Sequence, residues 1–120
     1  YIEDVNTGNS LLYAPGLGVP SEQTLARMRS ADCVLVDGTF WQEDEMSVVG
    51  LSHKKAGDMG HLPLSGDNGI LQLLKPLKAK RKVLIHINNT NPILNEDSEQ
   101  RRIVEQMNIE VAVDGMVFEV

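Results

Sequence analysis

The sequence predicts an α/β fold with a mixed sheet. Continuous apolar or strand-like runs, Cys33–Val36 and Lys82–Ile87, are typical of strands that are covered on both faces. Segments with helical spacing of apolar residues lie between and after them, and such alternation favours layered α/β packing. The chain has 120 residues with 42% hydrophobic content, which is enough for one domain, residues 1–120, around one core.

The first half of the chain carries signals for a hairpin, a helix and a buried strand. A Thr-Gly turn between two β-capable runs indicates the hairpin, and a serine before the first periodic apolar residue is a preferred helix N-cap. The predicted elements are a hairpin of residues 1–5 with 10–14, a helix from Ser21, a strand over Cys33–Val36, a helix over Glu43–Val49 and a loop over Leu51–Met59.

The second half continues the alternation. Leucine and isoleucine at helical spacing predict a helix that Pro76 ends, and Asp114-Gly115 is a hairpin turn signal. The predicted elements are a helix over Gly66–Leu77, a strand over Lys82–Ile87, an amide-rich loop over 88–92, a helix capped by Ser98, and strands over Ile109–Val113 and Met116–Val120.

Charge and composition exclude several partners. Eleven basic against 17 acidic residues give a net charge of −6, which argues against non-specific binding to nucleic acid, and the basic run Lys78–Lys82 is expected to be a solvated loop. No apolar stretch is long enough to span a membrane. The single Cys33 has apolar neighbours, so we expect a small buried side chain in a reducing compartment, hence a cytoplasmic protein.

Two polar residues, Asp37 and His86, follow buried strands at their carboxyl ends. Ligands of open α/β sheets bind at this edge. If the two strands are neighbours, their ends lie about 5 Å apart. A carboxylate beside an imidazole can bind a divalent metal or form an acid–base pair.

Other candidate site residues surround this pair in sequence. His61 lies between a glycine and a proline-containing turn, so its loop can hold an imidazole over a cleft or leave it facing solvent. Asn88, Asn89 and Asn91 can bind a polar substrate or hydrogen-bond their own loop, and Trp41 can wall a pocket or belong to the core.

Two further polar groups are expected at the surface. His53 has basic neighbours and no apolar backing, and the acidic run Glu43–Glu45 is predicted to be a solvated helix face. The metal-competent residues are thus too few for a complete catalytic metal site, and no His-x-His pair is present. Either further ligands come from another chain or segment, or the site binds no metal.

Four strings of the sequence resemble the C-terminal part of the pyrroloquinoline quinone (PQQ) biosynthesis protein B family, within the metallo-β-lactamase-like superfamily. Together they span most of the chain in unbroken order, and the amide-rich string after His86 is the most distinctive. The strings are Asp32–Trp41, Met59–Gly66, Ile85–Leu94 and Ile109–Met116.

The resemblance implies the C-terminal half of an αββα sandwich with a metal site along one edge. It implies that Asp37 and His86 bind iron or zinc and that His61 serves proton transfer. The implied substrate is a small molecule or a peptide-derived unit, contacted by an amide loop and an aromatic wall. The implied lining residues are Trp41, Asn88, Asn89 and Asn91.

The resemblance also implies a role in PQQ biosynthesis, through metal-dependent hydroxylation of the tyrosine in a Glu-Tyr unit. Metal-dependent hydrolysis and a non-catalytic PQQ carrier are the alternatives. The superfamily's His-x-His-x-Asp-His signature is missing, and Tyr1 begins within a strand pattern. We therefore expect a piece of a longer protein that is inactive alone and holds little or no metal. Its partner would be the N-terminal half, another subunit or a second copy binding through exposed apolar area.

Overall fold

The computed structural model describes residues 1–120, which form one five-stranded sheet with helices. Strand order follows the chain: β1 pairs antiparallel with β2, and β2 through β5 are parallel neighbours. The predicted α/β fold with a mixed sheet is therefore confirmed. The elements are β1 Ile2–Glu3, β2 Ser10–Ala14, α1 Glu22–Ser30, β3 Cys33–Asp37, α2 Glu45–Val48, α3 Ile70–Leu74, β4 Arg81–Ile85, α4 Glu99–Gln106 and β5 Glu110–Val111.

The main core lies between one face of the sheet and the helices. Alternate residues of β3 point to this face, so Val34 and Val36 are fully buried there. Helices α1, α3 and α4 each contribute apolar side chains to the same cluster. Its fully buried members also include Leu64, Ile70, Leu74, Leu84, Ile93 and Val104.

The other face of the sheet carries a smaller apolar cluster of Cys33, Leu35 and Val83. Phe118 from the C-terminal segment packs against it, and the Arg81 guanidinium lies 4.7 Å from the centre of the Phe118 ring. Cys33 is 2% exposed, as expected for a small buried side chain. Burial raises the pKa of its thiol, so this cysteine is a poor nucleophile.

The prediction of a second C-terminal strand over Met116–Val120 is wrong. The sheet ends with β5, which covers only Glu110–Val111, and the last ladder bond joins the amide of Ala112 to the carbonyl of Leu84. After the turn at Gly115 the chain crosses the face of the sheet instead of pairing with its edge. This segment is held by packing of Phe118 against the apolar face of the sheet and not by hydrogen bonds to a neighbouring strand.

The remaining predictions are confirmed in part. The hairpin and the Ser21 cap form as expected, with the Ser21 hydroxyl accepting from the Thr24 amide. Helix α3 is shorter than Gly66–Leu77 because Gly66 has a left-handed φ of 89°, which starts a turn rather than a helix. None of the helices has the length and apolar character needed to cross a membrane.

Two charge predictions need correction. The run Lys78–Lys82 is only partly a loop, because Arg81 begins β4 and forms a two-bond ion pair with Glu110 at 2.9 and 2.6 Å. The run Glu43–Glu45 is only partly solvated, because Glu45 is 4% exposed. Its carboxylate is satisfied by the Trp41 amide at 2.6 Å and by the Thr90 hydroxyl.

Candidate metal centre

Asp37 and His86 come together because β3 and β4 are parallel neighbours. Asp37 is the last residue of β3 and lies opposite Ile85, the last residue of β4, and His86 follows directly. The condition stated for this pair, that the two strands are neighbours, is therefore met. Both residues lie at the carboxyl edge of the sheet, where open α/β folds bind ligands.

Gly38 allows the two strand ends to approach closely. Its amide donates to the Ile85 carbonyl at 2.7 Å. A Cβ at this position would lie 3.0 Å from the Ile85 carbonyl oxygen, 3.1 Å from Leu84 and 3.2 Å from Ile87. The Asp-Gly pair that looks like an ordinary turn signal is therefore a packing requirement of the site.

The chain turns sharply at His86, which has a φ of 54°, an uncommon value for a residue other than glycine. Hydrogen bonds between the two connections hold this turn. The Asn91 side-chain amide donates to the Gly38 carbonyl at 2.8 Å, and the Asn88 backbone amide donates to the Thr39 carbonyl at 3.1 Å. The loop after β4 is thus fastened to the loop after β3.

The Asp37 carboxylate is fully buried and accepts four hydrogen bonds. One oxygen, Oδ1, accepts from the Thr39 amide at 2.9 Å and the Thr39 hydroxyl at 2.6 Å. The other, Oδ2, accepts from the Leu17 amide at 2.7 Å and lies 2.6 Å from Nδ1 of His61. These donors compensate the cost of burying the carboxylate and fix its orientation.

His61 reaches the same place from the long connection between β3 and β4. A short 3-10 turn, Gly57–Met59, precedes it, and its backbone amide donates to the Ala56 carbonyl at 3.0 Å. Its ring stacks on His86 with centroids 5.3 Å apart and meets the edge of Phe40 at 5.8 Å. The loop that carries His61 is therefore packed into the site. His53 lies earlier in the same connection and is exposed, so its predicted surface position is confirmed.

Asp37, His61 and His86 can each offer a ligand atom, and these atoms lie within 4.8 Å of one another. Asp37 is buried, His61 is half-buried and His86 is exposed, so the cluster opens toward solvent on the His86 side. Two imidazoles and a carboxylate form a donor set that suits zinc and iron. The cluster fits a divalent metal, although three ligands do not complete a usual coordination sphere.

The predicted substrate residues occupy different settings. Asn89 and His86 line a cavity of about 540 Å³ with apolar walls that include Leu94 and Val113. Asn88 donates to the Thr90 hydroxyl at 2.6 Å. Asn91 is 2% exposed, and its Oδ1 accepts from the Ile93 amide while its Nδ2 reaches the Gly38 carbonyl.

Trp41 lies apart from this cavity. Its side chain is partly buried against the main core, and its carbonyl accepts from the amide and hydroxyl of Ser65 at 2.9 and 2.7 Å. Among the predicted lining residues, Asn89 is the one that the structure places beside His86 in a cavity.

Two residues of the site were missed from the sequence. Thr39 is 6% exposed and its hydroxyl contacts Asp37, His61 and His86. Glu45 holds the loop 88–90 through Thr90. The Asp-Gly-Thr string offered a signal for Thr39, because a hydroxyl two residues after an aspartate can bond its carboxylate; nothing local to Glu45 distinguishes it from its acidic neighbours.

A model of the β-lactamase superfamily domain matches residues 1–87, which include Asp37, His61 and His86. This match covers more than half of the chain. The chain belongs to the β-lactamase superfamily. Within this superfamily its relatives include "Coenzyme PQQ synthesis protein B" of Acinetobacter baylyi, 52% identical over 120 residues, and of Cupriavidus necator, 56% identical over 115 residues.

The chain spans only about two-fifths of the length of these relatives. The match covers 100% of this chain and 40% of the A. baylyi protein, and 96% of this chain and 38% of the C. necator protein. It is also similar to the crystal structure of Zn²⁺-bound PqqB from Methylobacterium extorquens. There the TM-score is 0.89 at 38% identity, over 95% of this chain and 41% of that one. The predicted family resemblance is confirmed.

Proposed function

We propose that this chain is part of a metal-dependent protein of PQQ biosynthesis in which Asp37 and His86 bind the metal ion. One observation carries the proposal: ligand atoms of Asp37, His61 and His86 lie within 4.8 Å of one another at the carboxyl edge of the sheet. The relatives named for PQQ synthesis support the biological role, since they match the chain from end to end.

The donor set accommodates either zinc or iron. A similar protein of known structure is described as zinc-bound, which supports a divalent metal in proteins of this kind. Bound by this donor set, the ion would supply Lewis-acid chemistry, and iron would add oxygen chemistry. Asp37 and His86 account for two ligands. Because a catalytic metal usually takes three or more protein ligands, we propose that the remaining ones lie outside these residues, in the rest of the protein or in a partner.

His61 is proposed to transfer protons. Carboxylate oxygens only accept hydrogen bonds, so the 2.6 Å contact with Asp37 places a proton on Nδ1 of His61. The other ring nitrogen, Nε2, is then free to take up or release a proton, with the buried carboxylate holding the ring in place.

The proposed reaction is hydroxylation of the tyrosine ring in a Glu-Tyr unit. The cavity beside His86 supports this choice in size and in lining, since it combines apolar walls with the Asn89 amide. We propose that Asn89 contacts the substrate directly and that Asn88 and Asn91 keep the loop in shape.

The metal proposal is tested by zinc titration of the whole protein in which this chain occurs, purified without metal. His86→Ala should weaken zinc binding by more than about 100-fold, since loss of a ligand exceeds the 10- to 100-fold effect of outer partners. His53→Ala, at an exposed histidine, is the matched control and should bind zinc normally. Equal zinc affinity of His86→Ala and the unmodified protein would contradict the proposal.

The reaction is tested separately with the iron-loaded protein, a Glu-Tyr peptide and ascorbate. Ascorbate supplies the two electrons that reduce one atom of O2 to water while the other atom enters the ring. Oxygen consumption with a product heavier by one oxygen atom supports hydroxylation. Cleavage of a phosphodiester or lactone without oxygen would identify a hydrolase instead. Stoichiometric binding of PQQ that survives His86→Ala, with no turnover, would identify a carrier.

A further inference from the structure

Thr39 occupies the centre of the candidate metal centre without being a metal-competent residue. Its hydroxyl oxygen lies 2.6 Å from Oδ1 of Asp37, 2.8 Å from Nδ1 of His86, 2.9 Å from the His86 carbonyl oxygen and 3.2 Å from Nδ1 of His61. The residue is 6% exposed, so water does not compete freely for these contacts.

The hydroxyl has one proton to share among these neighbours. Two of them, the Asp37 carboxylate and the His86 carbonyl, are oxygens that can only accept. The proton therefore points to one of these oxygens, and the shorter contact of 2.6 Å favours Asp37. In either case the hydroxyl presents a lone pair, not a proton, to Nδ1 of His86.

This arrangement determines the tautomer of His86. A lone pair on Thr39 at 2.8 Å requires a proton on Nδ1, and the neutral imidazole then has its free lone pair on Nε2. The nitrogen that can bind a metal is thus the one that points away from Thr39. The Asp37 carboxylate likewise requires a proton on Nδ1 of His61. One buried carboxylate and one hydroxyl therefore determine the tautomers of both imidazole rings.

We infer that Thr39 is a positioning residue, which fixes His86 as its Nδ1–H tautomer and leaves Nε2 as the nitrogen that can bind a metal ion. The role resembles that of the carbonyls and carboxylates that commonly hold the second nitrogen of a ligating histidine. Thr39 acts through His86 and Asp37 and does not itself touch the metal or the substrate. Its effect on metal binding rests on the proposed function, whereas its effect on the tautomer does not.

The tautomer is measured directly in the metal-free protein by long-range ¹H–¹⁵N correlation of the histidine rings, recorded at about pH 8.5, above the usual titration range of imidazole. The His86 signals are identified by their loss in His86→Gln. We expect a protonated Nδ1 and an unprotonated Nε2. The opposite tautomer in the unmodified protein would overturn the inference without any variant.

Two variants then separate the hydroxyl from the shape of the side chain. Thr39→Val keeps the shape and removes the hydroxyl, so His86 should lose its single tautomer and zinc affinity should fall about 10- to 100-fold. Thr39→Ser keeps the hydroxyl and should restore both properties. Thermal unfolding of each variant shows whether the sheet itself is intact.

The outcomes distinguish this inference from the proposed function. If Thr39→Val leaves both the tautomer and the zinc affinity unchanged, the inference is wrong, whether or not His86→Ala shows that His86 binds zinc. If His86→Ala does not affect zinc binding but Thr39→Val changes the tautomer, the proposed function fails and the positioning role stands.

Discussion

An aspartate lies at each end of strand β3, and the two differ in burial and in the residues they contact. Asp32, just before the strand, accepts from the amide and hydroxyl of Ser10 at 2.9 and 3.2 Å and lies 3.6 Å from Lys80. Asp37, at the other end, is fully buried among two backbone amides, a hydroxyl and a histidine. Asp32 fastens two strands at the surface, whereas Asp37 organises a site.

The difference between the two aspartates comes from the chain segments that lie at the two edges of the sheet. Near Asp32 the neighbouring strands begin, and the Lys80 side chain is 71% exposed. Near Asp37 the strands end and two long connections fold back, which bring in His61 and the loop after His86. Parallel strands place all such connections at one edge, so chemistry concentrates there.

The largest contrast is expected from replacing each aspartate by asparagine. An amide has one acceptor oxygen, so Asp37→Asn leaves a buried backbone amide of Leu17 or Thr39 without an acceptor, at about 1–3 kcal/mol in the free energy of unfolding. Asp32→Asn keeps an acceptor for Ser10, since both of its bonds go to one oxygen.

Denaturant unfolding of the two variants, together with zinc titration, measures this contrast. Asp37→Asn should lose stability and metal binding together, and Asp32→Asn should retain both. Equal destabilisation by the two substitutions would show that the buried network around Asp37 has no special energetic weight.

Gly38→Ala at the carboxyl edge is expected to affect stability alone, since it removes no candidate metal ligand, whereas Asp37→Asn affects both stability and metal binding. The added methyl group would press on the Ile85 carbonyl oxygen at 3.0 Å, and such overpacking costs about 1–3 kcal/mol. Gly16→Ala is the matched control, because its added Cβ would meet only a His61 ring atom at 3.8 Å. Thermal unfolding compares the two, and a Gly38→Ala variant as stable as Gly16→Ala would contradict the close approach.

The smallest effect is expected away from the site, at the ion pair of Arg81 with Glu110. The hydrogen bonds from Arg81 hold the pKa of the Glu110 carboxyl below its ordinary value of 4.5. A lowered pKa in the folded state contributes stability above pH 4.5, and this contribution is lost as the pH falls through the folded-state value. Partial exposure of both side chains keeps it small.

Glu110→Gln should therefore be slightly less stable than the unmodified protein near pH 7, and the two should converge in acid. Urea unfolding at a series of pH values measures the difference. Zinc binding should be unaffected. A difference in the free energy of unfolding that grows as the pH falls would mean that the ion pair does not lower the pKa of Glu110.

Much of the fold was predictable because it depends on local patterns. The apolar run Cys33–Val36 predicted the central strand, and the Ser21 and Ser98 caps predicted the starts of α1 and α4. The C-terminal strand Met116–Val120 was not, because its alternating pattern suits an edge strand as well as a segment packed across a sheet face. Only the tertiary position of Phe118 decides between them.

The candidate site was predictable where a residue follows a strand, as Asp37 and His86 do. Thr39 and Glu45 were missed because their importance comes from contacts with residues 47 and 45 positions away in sequence. Residue type signals a ligand, whereas the groups that orient ligands are common hydroxyls and carboxylates. Apart from the contact of Thr39 with Asp37, which the Asp-Gly-Thr string signals, their roles follow from burial and distance and not from pattern.

The route by which His61 enters the site has a consequence for how such sites diversify. Asp37 and His86 are bound to the framework, one at the end of β3 and the other directly after β4. His61 is carried by the connection between these strands, which is itself anchored in the main core by the fully buried Leu64. A substitution at position 61 alone would therefore give the same pair of framework residues a different third partner, so a single scaffold can acquire new chemistry by changing one side chain.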